Sequence, residues 1–496
     1  MIQLQHPQLS DFEPFLRQCF DIAHTSGIGA LTSIGHKMNE IRKSRGLHRK
    51  FIRGCHYGFD LAQRKVGAYV GEVEGKISSL ETELRTLRRT REQGTLEIVE
   101  LIKVLQARQL VLRRLVDSIA AAILHPNEWA MKHLSLEDKI KRVEPKNLAL
   151  TVQEAARRNK SDRMKFNLVC DLTTGIHIGD LIEVDRSAMD KRSWELIELK
   201  EGKVNAILTN AIEEKHGELA EEDLNHIKAT LGEKAEKQAK RMLRQRSRQT
   251  EIRRMVEGTE GVSPQYNVKV ALSESILILD DYSEAVRTAC REAHKGGFSA
   301  FTVNGCLYIL AVKPEKISGL EGWAAVHLFH HMGLGGGICL LNDPERRGEE
   351  IAALKKGSGY VDLVVQNISD TWGYPIFTWM EHDRVMDLVM GRIRLFVQFD
   401  MNKFFELAKS EGVELRWVTG RPSAGVRKLS VPIPGSPNAW SVHAKFADGT
   451  EFDFLGGIFR RAVTNLTSPS ELIKLMKRYP EIAPESGQVA PASPAK

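Results

Sequence analysis

The residues from Asp180 to Lys200 carry the clearest chemical signal in the chain. They read DLIEVDRSAMDKRSWELIELK, two apolar, strand-like runs into which Asp180, Glu198 and Lys200 are set. Carboxylates and ammonium groups are costly to bury unless they are paired or bind a metal. Side chains alternate faces along a strand, so Glu198 and Lys200 point the same way, with Trp194 and Leu196 on their face. Ile197 and Leu199 fill the opposite face, which predicts a central strand. Asp180 opens the preceding strand, and pairing of the two strands would set it beside Glu198. Two adjacent carboxylates repel and require a cation. Mg²⁺ (or Mn²⁺), a hard ion that takes one or two carboxylates and keeps several waters, suits them. Lys200 beside such an ion would orient a water and offset charge growing on a phosphate.

The flanking elements must position these groups. A helix is predicted over Thr151 to Lys160, with Thr151 as N-cap and Glu154 at capping-box spacing. Val169, Ile176 and Ile178 fit strands around a turn at Thr173-Thr174-Gly175, and SWELIELKEGKV makes a third. A long helix is predicted from about Glu221 to Val256. From Glu233 onward it holds nine Lys/Arg against three Glu, nearly the +7 charge excess of the whole chain. Such a run is usually a solvated face. Beside a metal site built for phosphates it reads as a phosphate grip, with Lys237, Lys240, Arg241, Arg244 and Arg248 as contacts and Gln238 and Arg241 turned inward. A strand at 266–272, a helix ending on Gly297 and a strand pair at 298–312 turning at Asn304-Gly305 complete the section.

The constellation resembles the PD-(D/E)XK nuclease superfamily. Gly179-Asp180 followed by Glu198-Leu199-Lys200, in the order helix, three strands, helix, strand, is similar to that family's pattern. The resemblance covers residues 146–315 and implies a restriction-endonuclease-like α/β core. It implies that Asp180, Glu198 and the Leu199 carbonyl hold the metal, that Lys200 is the catalytic lysine, and that Glu154 is an additional acidic residue. Glycine stands where the family commonly has proline before the aspartate. Asp171 and Asp185 are rival aspartates; Asp180 is preferred because an apolar strand follows it directly.

The fold expected is multidomain α/β. Residues 1–145 form an N-terminal helical, coiled-coil-like region, 316–482 an α+β accessory domain and 483–496 a disordered tail rich in Pro, Ser and Ala. Val73, Ile77, Leu80, Leu84 and Leu87 make a heptad seam that resumes at Ile98, Leu101 and Leu105, so two long helices fold back near Gly94. The seam serves either the core of one chain or a homo-oligomer through these helices. Arg85, Arg88, Arg89 and Arg91 crowd one stretch of it. Glycines 67 and 71 suggest tight helix packing. Strands are expected at 395–401 and in a hairpin turning at Asp448-Gly449.

Six scattered cysteines without a CxxC pair argue against a structural zinc site or disulfide framework and fit the cytoplasm. The first residues lack a signal-peptide pattern, and no apolar stretch approaches the roughly 20 residues of a membrane span. The histidine- and glycine-rich run at 327–343 matches neither a P-loop nor HExxH, and reads as a loop. The expected function is a Mg²⁺-dependent endonuclease acting on double-stranded DNA, in the setting of bacterial restriction or antiviral defence. The alternatives are a nucleic-acid-binding scaffold with an inactive nuclease-like fold, and a helical assembly factor.

Overall fold

The computed structural model describes residues 11–32, 44–90, 93–125, 131, 134, 142–187, 193–199, 203–215, 218–256, 261–262, 269–270, 280–317, 361–364, 368, 373, 375–380, 382–418 and 441–482. The chain separates into two compact units, one of residues 14–274 and one of 1–13 with 275–496. Every strand pairing described is antiparallel. The expected 146–315 core therefore does not correspond to one unit. The 298–312 hairpin pairs with Arg394–Phe399, in the unit that begins at 275.

In the 14–274 unit, α1 (Glu13–Thr32) is followed by α2 (Arg45–Thr90) and α3 (Thr95–Leu124), a long hairpin that turns at Gly94. Val73, Ile77 and Leu84 of α2 bury against Ile102 and Leu105 of α3, with Leu80, Ile98 and Leu101 packed alongside. The seam read from the sequence is thus filled within one chain. Gly67 lets α2 approach α4 (Pro145–Ser161): a Cβ there would lie 2.8 Å from Val152 Cγ2. Gly71 meets nothing within 4 Å, so it is not a packing glycine. Helix α4 begins at Pro145, whose fixed φ suits the first helical turn. Thr151 is consequently inside the helix, bonding back to the Asn147 carbonyl at 3.0 Å, and not the N-cap expected.

Three short strands follow, β1 (Lys165–Val169), β2 (Leu181–Asp185) and β3 (Ser193–Ile197), in the order β1-β2-β3. Ile176 and Ile178 are buried but stand in the β1–β2 connection, outside any strand. Among the described residues β3 is an edge strand, not a central one. The open edge of β1 is covered by side chains. Gln63 of α2 accepts from Val169 N at 2.8 Å and donates to Asn167 O at 3.1 Å, while Asn159 of α4 accepts from Asn167 N at 2.6 Å. Two helices thereby satisfy backbone groups that would otherwise pair with another strand.

Beyond the sheet lie α5 (Lys203–Glu214), α6 (Glu221–Leu231) and α7 (Glu233–Val256). The single helix expected over 221–256 is two, broken at Gly232. Leu208 and Ile212 of α5, Ile227 of α6 and Ala235, Ala239 and Met242 of α7 form one apolar cluster. The expected strand at 266–272 is described only at β5 (Lys269–Val270), which pairs with β4 (Gly261–Val262) and not with the three-stranded sheet.

The other unit holds α8 (Ser283–Gly296), then β6 (Phe298–Val303) and β7 (Leu307–Val312) joined at Asn304-Gly305, both at positive φ as a tight hairpin requires. These join β8 (Val361–Asp362) and β9 (Arg394–Phe399) in the order β6-β7-β9-β8, with α9 (His382–Val389) between the last two in sequence. Asp400 caps α10 (Met401–Ser410), accepting from Asn402 N and Lys403 N. β10 (Val413–Trp417), β11 (Ser441–Phe446) and β12 (Glu451–Leu455) form a second three-stranded sheet, followed by α11 (Gly456–Thr464) and α12 (Pro469–Ile482). The 327–343 run and the 483–496 tail lie outside the described residues.

Candidate metal and nucleic-acid site

Asp180 and Glu198 both lie at the same end of the β2–β3 pair. The last β2–β3 pair is Leu181 with Ile197, so Asp180 stands just before β2 and Glu198 just after β3, both beyond the paired register. Asp180 brackets its neighbour. Its N–H donates to the Ile197 carbonyl at 2.9 Å, and its Oδ2 accepts from Leu199 N at 2.6 Å. Its own carbonyl accepts from Cys170 N at 3.0 Å, tying the site to the end of β1.

The approach to Asp180 is built by α3. Asp117, fully buried, accepts from Thr174 N at 2.9 Å, from Thr174 Oγ1 at 2.5 Å and from Arg114 Nη1 at 2.8 Å. That ion pair has no exposure on either side chain. Breaking one partner of such a pair leaves an uncompensated buried charge. It therefore fixes the turn at Thr173-Thr174-Gly175 that leads into Gly179-Asp180. Gly179 sits at φ 83, and a Cβ there would lie 3.3 Å from Leu196 Cδ2. A left-handed backbone this close to β3 accounts for glycine before the aspartate; proline, with φ fixed near −65°, is incompatible with it.

Glu198 Oε1 accepts from Gln249 Nε2 of α7 at 3.3 Å. Helix α7 thus lies against Glu198, and among the described contacts it is Gln249 that bonds to it, while Arg241 is exposed. The heptad-like spacing explains this. Ala235, Ala239 and Met242 are buried, and Gln249 lies seven residues beyond Met242 on the same face. Lys237, Lys240, Arg241, Arg244 and Arg248 form an exposed stripe on the far side of the helix. Lys237 pairs with Glu233 at 3.3 Å and Lys240 with Glu236 at 2.6 Å. Arg246, three residues before Gln249 and four after Met242, is exposed and shares their side of the helix by helical phase. The sequence signal that would have found it is its phase relative to Met242, not the density of charge.

Glu154 is engaged elsewhere. Its carboxylate is bound by Arg157 and Arg158 at 2.7 and 2.8 Å, and the Arg157 guanidinium, ahead of Arg158, draws its pKa down to about 2. Arg158 also lies 3.8 Å from Glu183 in mid-β2, a residue that Lys165 holds at 2.9 Å. Asp185 stands at the opposite end of β2 from Asp180, 3.9 Å from Lys165. Lys200 lies outside the described residues.

The Asp180 carboxylate is engaged by the Leu199 N–H and the Glu198 carboxylate by Gln249, and carboxylate oxygens are the donor type that a hard divalent ion takes. Among the described residues there is no group of three His, Cys, Asp or Glu that could hold a metal by itself. Burial pushes the Cys19, Cys55 and Cys306 thiols up to about 12, so none is a ready nucleophile. Among the described residues no helix is long and apolar enough to cross a membrane.

No family model matches the chain, and comparisons with the curated proteins and with the solved structures found no match either.

Proposed function

We propose that the protein is a divalent-metal-dependent nuclease that hydrolyses phosphodiester bonds in duplex DNA. One observation carries this reading: the Asp180 carboxylate, at the start of β2, accepts at 2.6 Å from the N–H of Leu199, the residue between Glu198 and Lys200, just past the end of β3. Asp180 and Glu198 would hold the ion, with the Leu199 carbonyl as a further ligand. When bound, Mg²⁺ or Mn²⁺ supplies a Lewis acid for a phosphoryl oxygen and lowers the pKa of a water. Lys200, two residues beyond Glu198, would orient the attacking water and balance charge on the phosphate. Gln249 positions the Glu198 carboxylate from α7. Arg246 would meet a phosphate at the rim, and the outer stripe of Lys237, Lys240, Arg241, Arg244 and Arg248 would add long-range attraction.

The test is incubation with plasmid and linear duplex DNA in Mg²⁺, in Mn²⁺ and in EDTA, beside the Asp180→Asn, Glu198→Gln and Lys200→Ala variants. Metal-dependent cutting that each substitution lowers by about 100-fold or more supports the reading, since metal-ligand and transition-state charge contacts carry effects of that size. DNA binding with no cutting under any metal, unchanged in the variants, would leave only a nucleic-acid-binding scaffold.

A further inference from the structure

Away from the sheet end, the α2–α3 hairpin carries a groove of about 500 Å³ lined by Glu81, Arg85 and Arg88 of α2, Val99, Lys103 and Gln106 of α3, and Arg142. Its floor is the buried pair Leu84 and Ile102. The two walls are helix ridges of i, i+4, i+7 spacing, 81-85-88 and 99-103-106, so their polar ends run in parallel rows along the hairpin. Four cations and one carboxylate line it. Arg142 is held by Glu81 at 2.9 Å and Glu74 at 3.5 Å, and Lys103 by Glu100 at 2.7 Å. Arg85 and Arg88 are exposed and have no carboxylate among the described residues within ion-pair distance. Packing needs neither arginine, because the seam beneath them is complete without them.

We infer that this groove is a second phosphate-contacting surface for duplex DNA, with Arg85 and Arg88 as its principal contacts. The inference rests on the nuclease reading for its choice of polyanion, and deepens it by adding a binding surface remote from the sheet. Charge complementarity selects a polyanion. The lining selects duplex over single strand, because it contains no aromatic ring on which an unpaired base could stack. Position along α2 sets a length. Gln63 of α2 touches the end of β1 beside Cys170, which bonds to Asp180, and Arg85 follows 22 residues later on the same helix. At about 1.5 Å per residue the groove lies roughly 30 Å from the sheet. A duplex touching both would need about ten base pairs at ~3.4 Å each.

The experiment measures anisotropy of fluorescein-labelled DNA duplexes of about 6 to 24 base pairs in EDTA, for the full chain and for Arg85→Glu/Arg88→Glu, across a salt series. Duplexes longer than about ten base pairs should bind the intact chain more tightly than shorter ones. The double variant should bind the long duplexes about tenfold or more weakly, with a log–log salt slope shallower by about 2, the counterion release of two phosphate contacts. A milder Arg85→Gln/Arg88→Gln pair, with circular dichroism and thermal melting unchanged, separates contact loss from misfolding. Unchanged affinity and slope in both variants overturn the inference. So does preferential binding of single strands that the variants do not alter, or an intact chain that binds no duplex. Cutting assayed separately distinguishes the two readings. Loss of binding in the variants without metal-dependent cutting by the intact chain keeps the groove and rejects the nuclease. Asp180-dependent cutting with unaltered binding in the variants does the reverse.

Discussion

Gln249 shows how one residue can change the reading of a helix. It has no charge and stands in a run dominated by arginine, yet its side chain reaches Glu198, at 3.3 Å. A hydrogen bond to a charged group contributes about 1.5–3 kcal/mol, and one this long belongs at or below the low end. Gln249→Ala is therefore expected to raise the half-saturating Mg²⁺ concentration about fivefold while leaving cleavage at saturating metal close to that of the parent. A metal titration of the cleavage rate checks this, since a purely structural role would lower the rate at every metal concentration. His56 gives a second residue-scale outcome. Burial, partly opposed by its hydrogen bond from Nδ1 to the Arg163 carbonyl, lowers its pKa from 6.5 to about 4. The unfolded chain then takes up the proton first as pH falls. His56 imposes no penalty above about pH 6.5, and stability declines between there and about pH 4, by roughly 3 kcal/mol at the lower end. Urea midpoints at about pH 7.5 and 4.5 should show a smaller acid loss in His56→Gln than in the parent chain.

At the scale of elements, the three-stranded sheet depends on side chains that belong to helices. Gln63 stands in for a neighbouring strand by bonding both Val169 N and Asn167 O. Replacing it with Leu keeps volume, leaves Val169 N unpaired at about 1–3 kcal/mol, and reduces Asn167 O to its longer bond from Asn159 Nδ2 at 3.4 Å, at about 1 kcal/mol. Gln63→Leu is expected to lower stability by about 2–4 kcal/mol, measured by urea unfolding. Cleavage should fall as well, because Val169 leads directly into the Cys170–Asp180 bond. The helical hairpin was legible from its heptad spacing, since Val73, Ile77, Leu84 and Leu105 are buried in the seam observed with Leu80, Ile98 and Leu101 packed alongside, but the buried Ile102 was not read from it. The boundaries of α4 were not. Thr151 and Glu154 have capping-box spacing, but Pro145 starts the helix earlier and Arg157 and Arg158 claim Glu154. Local motifs compete, and a proline outranks a threonine for the first turn.

On the scale of the whole molecule, two units imply two unfolding events. Calorimetry of the full chain should resolve two transitions, and Gln63→Leu should lower only the one belonging to residues 14–274. An unchanged pair of transitions, or a single transition that moves as one, would count against independent units. The sequence by itself determined the helical hairpin and the 304–305 and 448–449 turns, because periodicity and turn chemistry act over a few residues. Only the tertiary structure decided that the 298–312 hairpin leaves the central sheet to pair with β9, and that β1 is closed by Gln63 and Asn159. It alone decided which face of α7 meets Glu198. Those outcomes depend on which distant surfaces find each other, and an alternating or amphipathic pattern specifies that a face is covered without specifying what covers it.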